Sequence, residues 1–524
     1  MTLGERLSQT ASAHPRRVAV VFEGRRYRYK EINDMAGALA TGLASLGLKP
    51  GCTAAILLPN CPEFPVAFFG IVKAGAAAVP LNTFLTATEI DYILEDSGAE
   101  ALIYDPAFKD RVSELKHAPK LLISVGEASD GAVSFRELID KHRGINISPS
   151  PPSPPVKGGE INGPGGTPRN DDHSGSRDDE PAAIFYTSGT TGYPKGAVLT
   201  HGNLLSDADA CTAMFKLTRK DRFLLFLPMF HSFSFLVCLL LPFTLGARVI
   251  VLPFVKPFSK VVKAVVFGRA TFFVAIPAVY NLLSMKKFPK LILRLLALRL
   301  CVSGAAPLSR ETLDRFAVNY PFPLIEGYGL TEASPVVSCN PIDRERKPGS
   351  AGLPLPGVQV RAVDEDGRPL PSGSVGELTV KGPNVMKGYH GNEDATREAI
   401  VDGWLHTGDM GYLDEDGYIF IVDRKKDLIL VHGMNVYPRE VEEALYKHPA
   451  VKDAAVIGVT DPHHGEVPKA FITVMEGASP TEKDIKEYLR GRLASYKVPR
   501  QVEFVDSLPM TPTGKVLKRR LKEN

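Results

Sequence analysis

Residues 186–196 read Tyr186-Thr187-Ser188-Gly189-Thr190-Thr191-Gly192-Tyr193-Pro194-Lys195-Gly196, directly after an apolar run, Ala182 to Tyr186, that reads as a buried strand. Glycines let the backbone bend so that successive N–H groups point at one anion. Thr187, Ser188, Thr190 and Thr191 add hydroxyl donors, and Lys195 adds positive charge. Runs of Ser, Thr and Gly also make plain turns, but the Pro-Lys-Gly that follows favours a phosphate loop. It is not the common P-loop, which needs Gly-x-x-x-x-Gly-Lys-Ser/Thr. Here Gly189 and Gly192 are separated by two residues and Gly196 follows the lysine, which disfavours a GTPase or helicase-type NTPase.

Outward from this loop the chain alternates strand and helix patterns. Ala54 to Leu58, Ala76 to Pro80, Ala101 to Tyr104 and Leu121 to Val125 read as strands, with a Pro-started helix over Pro62 to Ala74. After the loop come a helix over His201 to Met214 and strands at Arg222 to Leu227, Arg248 to Leu252, Thr271 to Ile276 and Arg299 to Val302. Such alternation implies crossover connections and an α/β fold with mostly parallel sheets covered by helices. Gly352 to Gly382 is turn-rich and strand-like, a smaller β subdomain. From Asp423 onward, helices at Glu440 to His448 and Thr481 to Leu493 mix with extended runs, a small α+β domain. Ser148 to Glu180 is rich in Pro, Gly, Ser, Asn and Asp and lacks aromatic residues, so it reads as a flexible low-complexity segment.

Five further motifs follow in order: Ser303-Gly304-Ala305-Ala306-Pro307, Glu326-Gly327-Tyr328-Gly329-Leu330-Thr331-Glu332, Gly403-Trp404-Leu405-His406-Thr407-Gly408-Asp409, Asp423-Arg424-Lys425-Lys426-Asp427 and Pro512-Thr513-Gly514-Lys515. Together with the loop, this set resembles the adenylate-forming superfamily, which includes acyl-CoA synthetases, nonribosomal-peptide adenylation domains and beetle luciferases. The resemblance spans essentially the whole chain except 148–180. It implies an N-terminal ATP- and acyl-binding domain over 1–422 and a mobile C-terminal domain over 423–524.

The resemblance also implies roles. ATP would be held by Thr187, Ser188, Gly189, Thr190, Thr191, Gly192 and Lys195 around its phosphates. The adenine would lie on the Tyr328 ring, against Gly304, Ala305 and Ala306, beside Glu326, Gly327 and Gly329. Asp409 would accept hydrogen bonds from the ribose hydroxyls, as acidic residues do in dinucleotide folds, and Arg424 would contact ribose or phosphate. Glu332 would hold Mg²⁺ with Thr187 or Thr331 nearby; this ion favours few carboxylates plus phosphate oxygens. Lys515 would bridge the attacking carboxylate and the α-phosphate, with His231 and Thr331 also catalytic. Lys426 would be the hinge, where many relatives carry Asp, and Gly433, Met434 and Asn435 would border the CoA thiol.

The acyl region is expected within Pro228 to Phe235, where Phe235 and Phe230 would face the acyl chain; Leu236 to Leu241 is either its lining or plain core. The Glu326 to Ser338 and Asp402 to Lys426 runs most resemble bacterial fatty-acid ligases. The expected activity is an acyl-CoA synthetase acting on a medium- or long-chain fatty acid. Ligases for aryl or arylalkanoic acids, and an acyl-AMP ligase loading a separate carrier protein, are the alternatives. A non-catalytic nucleotide-binding regulator is disfavoured by the presence of Lys515, Glu332, Asp409 and Lys195.

The 524 residues carry 62 Lys+Arg against 59 Asp+Glu, a balance that disfavours a dedicated nucleic-acid binder. The excess sits from Asp423 onward, with 18 basic and 15 acidic residues, concentrated in Lys515, Lys518, Arg519, Arg520 and Lys522. Met1 to Arg17 lacks the apolar core of a secretory signal. Phe233 to Gly246, the most apolar run, is shorter than the ~20 residues of a spanning helix. The six cysteines form no CxxC pair and four have apolar or small neighbours, so buried thiols in a reducing cytoplasm are expected. Over Ser284 to Arg299, Lys286, Lys287, Lys290, Arg294 and Arg299 alternate with Leu and Ile. This fits a surface helix with its apolar face in the core, or a basic amphipathic helix on an anionic membrane. Self-association is left open.

Overall fold

The computed structural model describes residues 1–126, 131–144, 177–187, 193–253, 257–431, 434–461, 465–510 and 516–522. By internal packing the chain divides into two units, one of Met1–Asp209, Thr218–Val261 and Pro383–Thr396, the other of Ala210–Leu217, Val262–Gly382 and Arg397–Asn524.

In the first unit an eight-stranded sheet runs Gly388–Tyr389, Lys195–Thr200, Pro181–Thr187, Ala77–Pro80, Thr53–Leu57, Ala99–Tyr104, Leu121–Ser124, Val133–Ser134. Thr53–Leu57 is parallel to both neighbours and buried at every position, as a strand covered on two faces requires. Pro181–Thr187 and Lys195–Thr200 pair antiparallel, with Thr187 opposite Lys195, so the glycine loop joins two adjacent strands. Glu63–Lys73 is a helix apolar on all sides; Phe64, Val66, Phe68 and Ile71 are fully buried, each worth about 1.5–3 kcal/mol on transfer from water. A second group of strands in this unit, Arg222–Leu225, Arg248–Val251 and Val18–Phe22, pairs in parallel. Of the segment 148–180, residues 148–176 lie outside the described residues. Arg177–Asp179 forms a short 3-10 turn rather than loop, with Arg177 Nη1 3.1 Å from Glu5 Oε1.

In the second unit, Phe272–Ala275, Leu300–Ser303 and Leu324–Gly329 are parallel neighbours, continued antiparallel by Val336–Cys339 and Leu353–Pro354. The turn-rich region forms an antiparallel sheet of Gln359–Val363, Gly376–Lys381, Trp404–Leu413 and Ile400–Val401, with Ile419–Arg424 added on Trp404–Leu413. The C-terminal α+β part builds its own sheet from Val451–Asp461, Gly465–Val474 and Gln501–Phe504 with Ile429–Val431 and Met434–Val436. Helices Pro438–Tyr446 and Glu482–Arg490 bury Val441, Leu445, Ile485 and Leu489 against it.

The continuous helix expected over 284–299 is not formed. One helix ends at Ser284, Pro289 interrupts, and a second covers only Lys290–Leu295. Proline has no N–H to donate and disfavours a helical residue before it. Five cysteines are buried, one more than expected, and Cys52 is half-buried. No described helix is long and apolar enough to cross a membrane.

Candidate active site

In the second unit, the C-terminal end of strand Leu324–Gly329 organises one group of candidate residues. Ser303, last in the neighbouring strand, lies opposite Glu326 in register. Glu326 Oε1 accepts the Leu308 N–H at 3.0 Å, which ties the Gly304-Ala305-Ala306 turn to this strand. Ala305 has φ of 68°, a left-handed conformation that costs a non-glycine residue about 1–2 kcal/mol. Ser303 is fully buried and its Oγ has no hydrogen-bond partner, a cost relieved when a ligand or water reaches it. Burial pushes the Glu326 carboxyl up to about 7, with Arg439 and the Leu308 N–H opposing.

Gly329 is required by its surroundings: a Cβ there would lie 1.9 Å from the Pro335 carbonyl oxygen. Between Gly327 and Gly329, Tyr328 donates its hydroxyl to Asp409 Oδ2 at 2.7 Å. Arg424 Nε sits 3.1 Å from Asp409 Oδ1, and the two residues are cross-strand partners. Asp409 is 4% exposed, so the pair holds a buried carboxylate with both oxygens engaged. Each oxygen keeps a further lone pair for a vicinal diol. Burial, then the Asp409 charge, holds the Tyr328 phenol well above its ordinary range, so it stays a donor. Arg424 is held up first by Asp409, with Glu332 among the further contributing charges. Thr331 and Glu332 form a 3-10 turn directly beyond this strand.

Glu377 is a residue that the sequence motifs did not mark. It accepts the Gly408 N–H at 3.1 Å and meets Lys425 Nζ at 3.1 Å and His406 Nδ1 at 3.4 Å. Burial alone would raise its carboxyl; Lys425, His406 and Gly408 outweigh that and hold it low. It therefore shapes the turn that presents Asp409. Asp423 opens one of the motifs, and the structure adds a backbone role that the motif did not assign. Its Oδ2 accepts the Arg439 N–H at 2.7 Å at the start of helix Pro438–Tyr446, and its Oδ1 accepts the Arg424 N–H at 2.8 Å. Lys518 Nζ lies 2.9 Å from Glu442 Oε1 on the same helix. Lone acidic residues in strands and turns carry no periodic signal, so only the fold reveals these roles. Lys426 is exposed in the 3-10 turn Lys425–Asp427, and Met434 and Asn435 are exposed on a short strand.

The remaining expected residues lie in the first unit, described by itself. Thr187 closes strand Pro181–Thr187, and its Oγ1 lies 3.5 Å from the Lys195 carbonyl oxygen. Lys195 Nζ sits 5.3 Å from the Tyr389 ring centre. A Cβ at Gly196 would meet Ile184 Cγ2 at 2.8 Å, so glycine is needed where the strands pack. His231 caps the helical segment that follows: its Nδ1 accepts the Phe233 N–H at 3.3 Å, which leaves the proton on Nε2. Buried Asn60, also unmarked by the sequence, fixes the preceding loop through Leu227 O, Leu252 O and the Met229 N–H. Phe235 opens a π-helical turn, Phe235–Leu240, whose residues are all buried. Its ring packs edge-on to Phe68 at 4.7 Å and Phe185 at 5.2 Å. Phe230 is buried with Phe84 at 6.3 Å. Ser188, Gly189, Thr190, Thr191, Gly192, Gly433 and Lys515 lie outside the described residues.

For Mg²⁺ the donor set is chemically suitable: one carboxylate, Glu332, and the hydroxyls of Thr331 and Thr187 are hard oxygen donors. Among the described residues there is no cluster of three His, Cys, Asp or Glu side chains for a protein-caged metal.

A parallel α/β unit in which a strand-end tyrosine, Tyr328, meets a buried carboxylate with lone pairs to spare is chemically suited to the ribose of a nucleotide. The comparisons make this specific: residues 7–390 match the AMP-binding enzyme family and 440–515 its C-terminal domain, and the chain belongs to this family of adenylate-forming acyl-CoA ligases. The chain is similar to a feruloyl-CoA synthase of Amycolatopsis sp., 37% identical over 98% of this chain and 97% of the relative. It is also similar to a long-chain-fatty-acid–CoA ligase of Bacillus subtilis, 34% identical over 100% of this chain and 94% of the relative. Among solved structures it resembles ATP-bound MatB from Rhodopseudomonas palustris, with TM-score 0.87 and 31% identity, covering 100% of this chain and 99% of that one.

Proposed function

We propose that this AMP-forming acyl-CoA ligase activates a medium- or long-chain fatty acid. A carboxylate oxygen attacks the α-phosphorus of ATP, pyrophosphate leaves, and acyl-AMP forms. The CoA sulfur then attacks the acyl carbonyl carbon and AMP departs with the phosphate oxygen. The observation that carries the hydrocarbon reading is the segment behind His231: Phe235, Leu236, Val237, Cys238, Leu239 and Leu240 are all buried and offer no hydroxyl, amide or charge to a polar acyl group. The similarity to a fatty-acid ligase along the full chain supports it.

In this reading Asp409 takes the ribose diol, held in place by Tyr328 and Arg424. The Tyr328 ring and the Gly304-Ala305-Ala306 turn flank adenine, with Glu326, Gly327 and Gly329 shaping the slot. Thr187 to Gly192 and Lys195 bind the phosphates. Glu332, with Thr331 and Thr187, would hold Mg²⁺, which would neutralise phosphate charge when bound. The Nε2–H of His231 faces the acyl carboxylate, with Phe230 and Phe235 along the chain. Lys515 stabilises the charge that builds as two anions meet. The C-terminal domain, 423–524, turns about Lys426 between the half-reactions, and Gly433, Met434 and Asn435 then border the thiol of CoA.

A second reading, an aryl or arylalkanoic acid substrate, is favoured by the 37% identity to a feruloyl-CoA synthase. A panel of saturated fatty acids, ferulate and benzoate with ATP, Mg²⁺ and CoA separates the two. The expected result is the largest kcat/KM on a fatty acid; preference for ferulate or benzoate would replace the fatty-acid reading.

A further inference from the structure

From Arg222 to Arg310 the chain has twelve Lys and Arg and no Asp or Glu over 89 residues. For a chain that is nearly charge-balanced as a whole, this is a large local imbalance. Within it, the structure leaves apolar side chains facing water. Of the sixteen large hydrophobic side chains exposed among the described residues, six lie in 266–295: Val266, Phe267, Leu282, Met285, Leu291 and Leu295. Leu291 is 70% and Leu295 75% exposed. Lys286, Lys287 and Arg294 are exposed between them.

This exposure is built into the fold. Tyr280, on the opposite side of helix Pro277–Ser284, is fully buried and donates to Phe273 O at 2.9 Å and Val302 O at 3.1 Å. Asn319 Nδ2 donates to Ser284 O at 2.8 Å, and Tyr320 Oη donates to Leu283 O at 2.9 Å and Lys286 O at 3.1 Å. The backbone of 283–286 is therefore clamped from beneath, and Leu282 and Met285 are held outward. Leu293 is the buried anchor of the next helix, with Leu291 and Leu295 turned away from it.

We infer that residues 282–295 form a docking surface for an anionic lipid bilayer. Leucine and methionine side chains enter the headgroup–acyl boundary while the cations beside them meet lipid phosphates. Charge decides between this occupant and a second copy of the chain. A two-fold contact through this patch would set Lys286, Lys287 and Arg294 against their own equivalents, with no carboxylate in the patch to pair them. The inference stands apart from the choice of acyl substrate.

The test is co-sedimentation of the full chain with vesicles of phosphatidylcholine alone and of phosphatidylcholine doped with phosphatidylglycerol, at low and high salt. The expected result is binding to the doped vesicles that falls with salt. The triple variant Lys286→Gln/Lys287→Gln/Arg294→Gln should bind on the order of a hundredfold more weakly, at roughly fivefold per cation. Leu291→Ser/Leu295→Ser should also lose binding while keeping the wild-type rate on a water-soluble carboxylate, which shows that it is folded. Equal binding to both vesicle types, no binding by the wild type at low salt, or a wild-type dimer dissolved by the leucine substitutions would overturn the inference.

Discussion

Glu326→Gln is expected to stabilise the protein at alkaline pH and not at acid pH. The carboxyl rises from an ordinary 4.5 to about 7, chiefly because burial penalises its charged form. A raised acid binds its proton more tightly in the folded than in the unfolded chain. Stability is therefore undiminished below about pH 4.5, falls through the interval up to about pH 7, and stays reduced above it. A shift of this size corresponds to ~3 kcal/mol, and the accessible surface Glu326 retains brings it nearer 2 kcal/mol through solvent screening. Glutamine keeps an oxygen to accept the Leu308 N–H, so the turn is preserved while the titration is removed. The chain's one tryptophan, Trp404, lies in the same unit as Glu326, with Arg361 3.9 Å from its ring centre, and its fluorescence reports unfolding there. Urea titrations at about pH 4 and about pH 8.5 should show wild type and variant alike at the lower pH, and the variant about 2 kcal/mol more stable at the higher. A gain of equal size at both pH values, or none at either, would refute the electrostatic reasoning.

Other expectations follow from single contacts. Asp409→Asn removes the charge held by Arg424 and Tyr328; KM for ATP should rise about tenfold or more, read from initial rates over an ATP series, since charged hydrogen bonds are worth about 1.5–3 kcal/mol. Lys518→Met leaves the Glu442 charge without its cation, with only the Val456 N–H still donating to it at 2.8 Å, and should cost about 3 kcal/mol in urea titration; an unchanged midpoint would show that the pair adds nothing to stability. Phe235→Ala opens a void beside Phe68 and Phe185 and should cost about 3–5 kcal/mol; an unchanged unfolding midpoint would show that the ring is not part of the packed interior. Lys515→Ala should abolish acyl-AMP formation and largely spare thioester formation from supplied acyl-AMP; equal loss of both would show that the lysine does not act in adenylation alone.

Much of the architecture was legible because apolar periodicity directly reflects burial. The strands at 53–57, 77–80 and 99–104 announce themselves as short apolar runs, and the motif glycines mark backbone positions where no Cβ fits, as at Gly196 and Gly329. The pairing of Tyr328 with Asp409 was not legible, since 81 residues separate them and only the antiparallel β subdomain brings their strands together. Glu377 and Asn60 were invisible for a related reason. Each acts through backbone N–H or carbonyl groups distant in sequence, and an isolated polar residue looks the same whether it caps a turn or faces water. The helix expected over 284–299 failed where amphipathic spacing competed with Pro289, and the local backbone constraint won.

The most direct test of the account is carboxylate-dependent exchange of labelled pyrophosphate into ATP, with Mg²⁺ present and CoA absent. Activation as acyl-AMP predicts exchange that requires a fatty acid and is lost in Lys515→Ala, with AMP appearing only when CoA is added. Release of ADP and phosphate, or no exchange with any carboxylate, would contradict it.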